Sequence, residues 1–181
     1  RTAATPTRTD TLAARAARLE ARLAGLDSVV VAFSGGIDSA FLAVTAARLL
    51  GPRALAVTAA SASYPDAHRQ LALQVAREFG LRHEIIDTHE LDRPEYRANP
   101  ANRCYFCKDE LFTHLVALAR ARGFAWVADG NNADDRGDYR PGRQAAREHG
   151  VISPLDEADL TKDDIRTLAR EAGMSTWDEP A

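Results

Sequence analysis

The sequence predicts an α/β protein built on a doubly wound, mostly parallel sheet. Short apolar runs at 28–33, 54–57, 81–87 and 124–128 alternate with longer stretches of helical spacing. The first run, SVVVAF, is apolar almost throughout, as a strand covered on both faces must be. It leads directly into SGGIDS (34–39), a small polar turn followed at once by a helical pattern. Repeated strand–turn–helix units of this kind give a parallel sheet with helices on both sides.

Residues 1–9 are polar and read as a frayed N-terminus, 10–155 as one nucleotide-binding domain, and 156–181 as the start of a C-terminal region. Asp10 is placed to cap a first helix carrying Leu12, Ala16, Leu19, Leu23 and Leu26. After the first strand a helix is expected from about Ser39 to Leu50, ended by Gly51-Pro52. Ala54–Val57 is a second buried strand, 58–64 a small polar loop, and Pro65-Asp66 the opening of a helix that ends at Phe79-Gly80. A third strand follows at 81–87, then a long polar segment at 88–103. A helix is expected from about Cys107 to Arg122, and a fourth strand at 124–128 with Trp126 in the core. Residues 129–142 read as a loop and Val151–Leu155 as a short extended piece broken by Pro154. Thr161, with Asp164 three residues on, opens a last helix that Gly173 stops.

A length of 181 residues suits one well-cored domain. The net charge of -3 gives no bulk electrostatic case for nucleic acid as a partner. No apolar run approaches the ~20 residues of a membrane helix, so no membrane partner is expected. The chain opens on Arg1 rather than Met. Its two cysteines form one CxxC pair, which points to a cytoplasmic thiol or metal site rather than a disulfide framework.

SGGIDS is the most informative stretch. Gly35 and Gly36 let the backbone come close to a ligand, and the following helix presents amides and a positive dipole end. In a parallel sheet, ligands gather at the carboxyl ends of the strands. The loop therefore reads as a phosphate cradle, although it matches neither GxxxxGK[ST] nor GxGxxG. Cys104 and Cys107 lie one helical turn apart at a helix start, where thiolates are favoured. Two thiolates alone cannot close a tetrahedral site, so they are either metal ligands with outside help or a pair of buried or redox-active thiols. The five histidines (His68, His83, His89, His114, His149) show no ligand spacing and read as structural or exposed.

SGGIDS after a buried strand resembles the pyrophosphate loop of the ATP pyrophosphatase family. Its fold is adenine nucleotide alpha-hydrolase-like (PP-loop, Rossmann-like). In order along the chain follow SASYP (61–65), RCYFCK (103–108), DGNNADDRGDYRPGRQAAREHGVISPL (129–155) and LTKDDIRTLAREAGM (160–174). The whole set resembles, most narrowly, the LarE-type ATP-dependent sulfur transferases. The resemblance implies adenylation of a carboxylate on a nicotinate-derived mononucleotide, pyridinium-3,5-biscarboxylic acid mononucleotide, with release of pyrophosphate. Sulfur then replaces AMP to give a thiocarboxylate for the nickel-pincer cofactor. The implied cofactors are ATP, Mg²⁺ and a [4Fe–4S] cluster.

By the same resemblance, Ser34, Gly35, Gly36, Asp38 and Ser39 hold the phosphates, with Asp38 also on Mg²⁺. Ala59, Ser61 and Ser63 frame the adenosine, and Gly130 and Asn132 line the adenylate. Asp134 and Asp135 bind Mg²⁺ or ribose, or simply cap a turn. Tyr139 and Arg140 clamp the acceptor, so Asp38, Ser39 and Arg140 carry the catalytic expectation. Cys104 and Cys107 match the CxxC subtype, whose cluster takes a third cysteine. WDEPA (177–181) matches the string that precedes that cysteine, so the resemblance implies a C-terminal part beyond residue 181. A homo-oligomer is expected on the same ground. The competing readings are a tRNA-thiolating enzyme, an amide-forming enzyme of the same fold, and a non-catalytic nucleotide-binding module.

Overall fold

Val29, Val30, Val31 and Ala32 form β1 (Val29–Ala32), and all four are buried. β1 is the centre of a parallel sheet and pairs with β2 (Ala54–Ala60) on one side and β4 (Trp126–Ala128) on the other. β3 (His83–Asp87) adds outside β2, giving the order β3-β2-β1-β4. The register sets Val30 beside Leu55 and Val127. Beyond β4, Ile152 makes a single parallel bridge to Ala128. The computed structural model describes residues 10–60, 66–89, 92–98, 100–137 and 141–178. Ser61, Ser63, Tyr139 and Arg140 lie outside the described residues, as does the side chain of Cys104.

Alternate residues of β1 face opposite sides of the sheet, and each side has its own core. On one side Val29 and Val31 pack with Leu19 and Leu23 of α1 (Leu12–Ala24) and Phe41 and Leu42 of α2 (Ile37–Leu50). Ala72 and Val75 of α3 (Asp66–Phe79) join the same core. So do Leu155 of α7 (Pro154–Glu157) and Ile165 of α8 (Lys162–Glu171). On the other side Val30, Leu55 and Val57 meet Phe112 and Leu115 of α5 (Arg103–Arg122) and Ala145 of α6 (Pro141–His149). The doubly wound expectation holds.

Several boundaries differ from the expectation. Thr11, not Asp10, caps α1, its hydroxyl accepting from the Ala14 amide; Asp10 instead pairs with Arg18 at 2.8 Å. α2 starts at Ile37 because Gly36 itself is the extended N-cap residue. α5 starts at Arg103, so both cysteines lie in its first turns. The polar segment before it contains a short α4 (Pro94–Ala98) and a 3-10 turn at Pro100–Asn102. The extended piece expected at Val151–Leu155 reaches the sheet through Ile152, and Pro154 breaks it by opening α7. Trp126 is not core. It is 38% exposed at the entry to β4, with the Arg22 guanidinium 5.3 Å from its ring centroid. Thr161 and Asp164 do form the expected capping box on α8. Among the described residues no helix is long and apolar enough to cross a membrane.

Candidate functional site

The loop after β1 is held from inside by its own hydroxyls. Ser39 Oγ accepts from the Ser34 amide at 3.0 Å and lies 2.9 Å from Ser34 Oγ. The Gly36 amide donates to Ser34 Oγ at 3.3 Å. These bonds curl residues 34–39 over the start of α2, whose first-turn amides have no intrahelical acceptor. Gly35 has φ +87, and a Cβ there would stand 2.3 Å from the His68 carbonyl of α3. Glycine is required both by the backbone angle and by the approach of α3. Gly130, past the end of β4, is equally confined: a Cβ would stand 2.9 Å from the Ser39 amide. Two strand ends thus close on the first turn of α2.

Asp38 is the charged group of this junction. Asn132 is wholly buried and donates from Nδ2 to Asp38 Oδ2 at 3.0 Å. The other carboxylate oxygen, Oδ1, is buried and has no hydrogen-bond partner among the described residues. Burial raises the Asp38 carboxyl above the ordinary range, while Lys162, the Asn132 amide and Arg166 work against that shift. Asp135 adds to it by like charge. Lys162 and Arg166 lie four residues apart on α8, so one helix face brings both cations to the loop. A buried carboxylate oxygen without a partner among the described residues, beside a loop of amides and hydroxyls, fits Mg²⁺. That ion keeps only one or two carboxylates and completes its shell with phosphate and water. Among the described residues no group of three or more His, Cys, Asp or Glu is arranged to hold a metal by itself.

Asn132, Asp134 and Asp135 shape the turn after β4. Asn132 accepts from the Asp134 amide at 2.8 Å, and Asp135 accepts from the Asn132 amide at 2.9 Å, a reciprocal capping box. Asp134 accepts from the Lys162 amide at 2.8 Å, which fastens this turn to the start of α8. Asp129 is 4% exposed and accepts from Ser153 Oγ at 2.7 Å and from Asn131 Nδ2 at 2.9 Å. Burial pushes its carboxyl up, against the Ser153 hydrogen bond and the charge of Lys108. Ala59 sits at the carboxyl end of β2, half-buried and beside Ile86.

Lys162, Arg166, Asp129 and Ser153 are site residues that sequence reasoning did not single out. The capping pattern at Thr161 located α8 but not what its cations face. The signals for Lys162 were its place in the LTKDDIRTLAREAGM stretch and the rarity of lysine in this chain.

α5 runs into β4 through the short connection 123–125, so its first turn lies toward the carboxyl edge of the sheet. Cys107 is half-buried there, and Cys104 is one turn earlier on the same helix. Lys108 lies within electrostatic reach of Asp129. Asp109 binds His149 Nε2 at 2.7 Å and Arg93 at 2.8 Å, fastening α6 and the segment before α4 to this turn. The spacing fits two corners of a cluster, and the sequence has no other cysteine to offer. A cavity of about 830 Å³ lined by Phe41, Val44, Phe79 and Leu168 opens at the opposite edge and shares no residue with the loop.

The family model for NAD synthase matches residues 14–128. A pyridinium-3,5-bisthiocarboxylic acid mononucleotide synthase from Lactiplantibacillus plantarum is 37% identical over 172 residues, 94% of this chain and 62% of that protein. An uncharacterised protein of Synechocystis is 46% identical over 156 residues, 86% of this chain and 58% of that protein. The chain thus spans about 60% of the length of these curated relatives. In fold it resembles the NH3-dependent NAD synthetase of Campylobacter jejuni, with TM-score 0.69, 17% identity and coverage of 92% of this chain and 75% of that one. It also resembles a U34-tRNA thiolase of Methanococcus maripaludis solved with its [4Fe-4S] cluster. There the TM-score is 0.65 and the identity 18%, covering 89% of this chain and 65% of that one. With a loop, a sheet order and a family match that coincide, this chain belongs to the NAD synthase family of PP-loop ATP pyrophosphatases.

Proposed function

We propose that this chain is the ATP-cleaving part of a sulfur transferase acting on pyridinium-3,5-biscarboxylic acid mononucleotide. The observation that carries the reading is the junction at Asp38: an unpaired buried carboxylate oxygen among loop amides, two serine hydroxyls and two helix-borne cations. The choice of acceptor is supported by the Lactiplantibacillus relative, which matches nearly the whole chain.

ATP lies with its β and γ phosphates in the Ser34–Ser39 loop, and Asp38 holds the accompanying Mg²⁺. Lys162 and Arg166 neutralise the charge that builds on the leaving pyrophosphate. An acceptor carboxylate oxygen bonds to the α-phosphorus as the bond from that phosphorus to the bridging oxygen breaks. Pyrophosphate leaves with the bridging electron pair. Gly130 and Asn132 border the space of the resulting acyl-adenylate, and Arg140 is positioned by the resemblance to pair with the acceptor's anionic groups. A [4Fe–4S] cluster, when bound, would supply sulfide as the nucleophile that displaces AMP. Cys104 and Cys107 would hold two of its corners.

Amide formation is the second reading, favoured by the NAD synthase match. The two differ only in the nucleophile that meets the adenylate. Mass spectrometry of the acceptor after turnover, with full-length protein, ATP, Mg²⁺ and either sulfide or ammonia, separates them. A thiocarboxylate is expected; a carboxamide formed in preference would replace the first reading with the second.

A further inference from the structure

β1 ends at Ala32, yet the chain stays on course for one more residue before it turns into the loop. The Phe33 amide still donates to Val57 at 2.9 Å, but the Phe33 carbonyl is met by a side chain instead: Thr58 Oγ1 donates to it at 2.7 Å. That hydroxyl has one proton, so its second contact, at 2.7 Å with His83 Nε2, has the imidazole as donor. Burial holds the His83 pKa down, which favours the neutral ring. The same ring stands edge-on to the Phe33 ring, with centroids 5.4 Å apart. Thr58 is fully buried and Phe33 is 2% exposed, so the bond between them is shielded from water, and half-buried His83 stands at its outer end. Ser34 follows at once, its amide already committed to Ser39 Oγ.

We propose that Thr58 and His83 are positioning residues for the phosphate loop: the relay His83–Thr58–Phe33 carbonyl sets where the Ser34 amide and hydroxyl stand. Neither touches the ligand. Three strands act in series, β3 holding β2 and β2 holding Phe33, the residue just past β1. The sheet ladder alone does not fix that last carbonyl. A loop displaced by about 1 Å can lose up to a hundredfold in rate, so one buried hydrogen bond at its root is enough to matter.

The inference rests on the loop being the ATP phosphate site only for its kinetic readout. The test uses Thr58→Val and His83→Leu, which break the relay, and Thr58→Ser and His83→Gln, which keep a hydroxyl and a donor in place. Thr45→Val is the control. Thr45 is also buried and its hydroxyl donates to the Phe41 carbonyl at 2.8 Å, but it lies mid-helix on α2. Amide exchange at Ser34 is expected to speed up about tenfold or more in the two breaking variants through local opening. kcat/KM for ATP in pyrophosphate release should fall by roughly ten- to a hundredfold. The conserving variants should stay within about threefold of wild type on both readouts, and Thr45→Val should lower the melting temperature without moving either. Unchanged Ser34 exchange in Thr58→Val and His83→Leu overturns the proposal, as does an equal effect in Thr45→Val. If Thr58→Val does not fold, His83→Leu decides. If the wild type releases no pyrophosphate, the ATP reading fails, while Ser34 exchange still decides this one.

Discussion

Asp38 concentrates the conflict between stability and chemistry. Its carboxyl is raised by burial, so the folded state holds that proton more tightly than the unfolded chain does. The contribution to stability is therefore largest at low pH and is lost as pH rises from the ordinary carboxylate value of 3.8 toward the raised one. Asp38→Asn keeps an acceptor for Asn132 and removes the buried charge. Its melting temperature at neutral pH, without ATP or Mg²⁺, should exceed that of wild type, while pyrophosphate release falls by about a hundredfold or more. A less stable Asp38→Asn in calorimetry would show that the charge is better compensated than the unpaired Oδ1 implies. Gly35 gives the complementary prediction. Gly35→Ala adds a side chain at φ +87 and drives it into the His68 carbonyl. Denaturant melts should show a loss of more than about 2 kcal/mol.

At the scale of elements, the active geometry is made by strand ends and helix starts rather than by any one segment. α8 brings Lys162 and Arg166 to the Asp38 junction. Lys162→Met should lower kcat and kcat/KM for pyrophosphate release by about tenfold in steady-state assays, since a cation facing the leaving pyrophosphate is lost. The same elements show what was legible in the sequence. β1 could be read because a short run rich in β-branched valine ends in a Gly-Gly turn, which favours a buried strand over a helix segment. The loop could be read because Gly-Gly flanked by serines after such a strand has few uses. α6 was missed because its nine residues bury little beyond Ala145 and Ala146, too weak a stripe to stand out from an Ala- and Arg-rich background. Trp126 was misplaced because apolarity gives no sign of a strand's entry point, where one side chain can lie outside both cores. The pairing of Asn132 with Asp38 spans 94 positions, and no local pattern reports it.

For the whole molecule, the two cores should separate stability from function. Leu115 is fully buried on one side of the sheet and Ile165 on the other. Leu115→Ala and Ile165→Ala should each cost about 2–5 kcal/mol in denaturant melts. Only Ile165 lies between Lys162 and Arg166, so only its truncation should also depress ATP turnover under conditions where both variants remain folded. Equal turnover losses would mean that the site depends on overall stability rather than on how α8 is seated. The central claim is that ATP is cleaved between its α and β phosphates at the Ser34–Ser39 loop to activate a pyridinium carboxylate. The most direct measurement is to separate the nucleotide products formed by the full-length protein from ATP, with and without pyridinium-3,5-biscarboxylic acid mononucleotide. AMP and pyrophosphate in equal amounts, dependent on that acceptor and abolished by Asp38→Asn, is the predicted result. ADP and phosphate, or AMP formation indifferent to the acceptor, would contradict it.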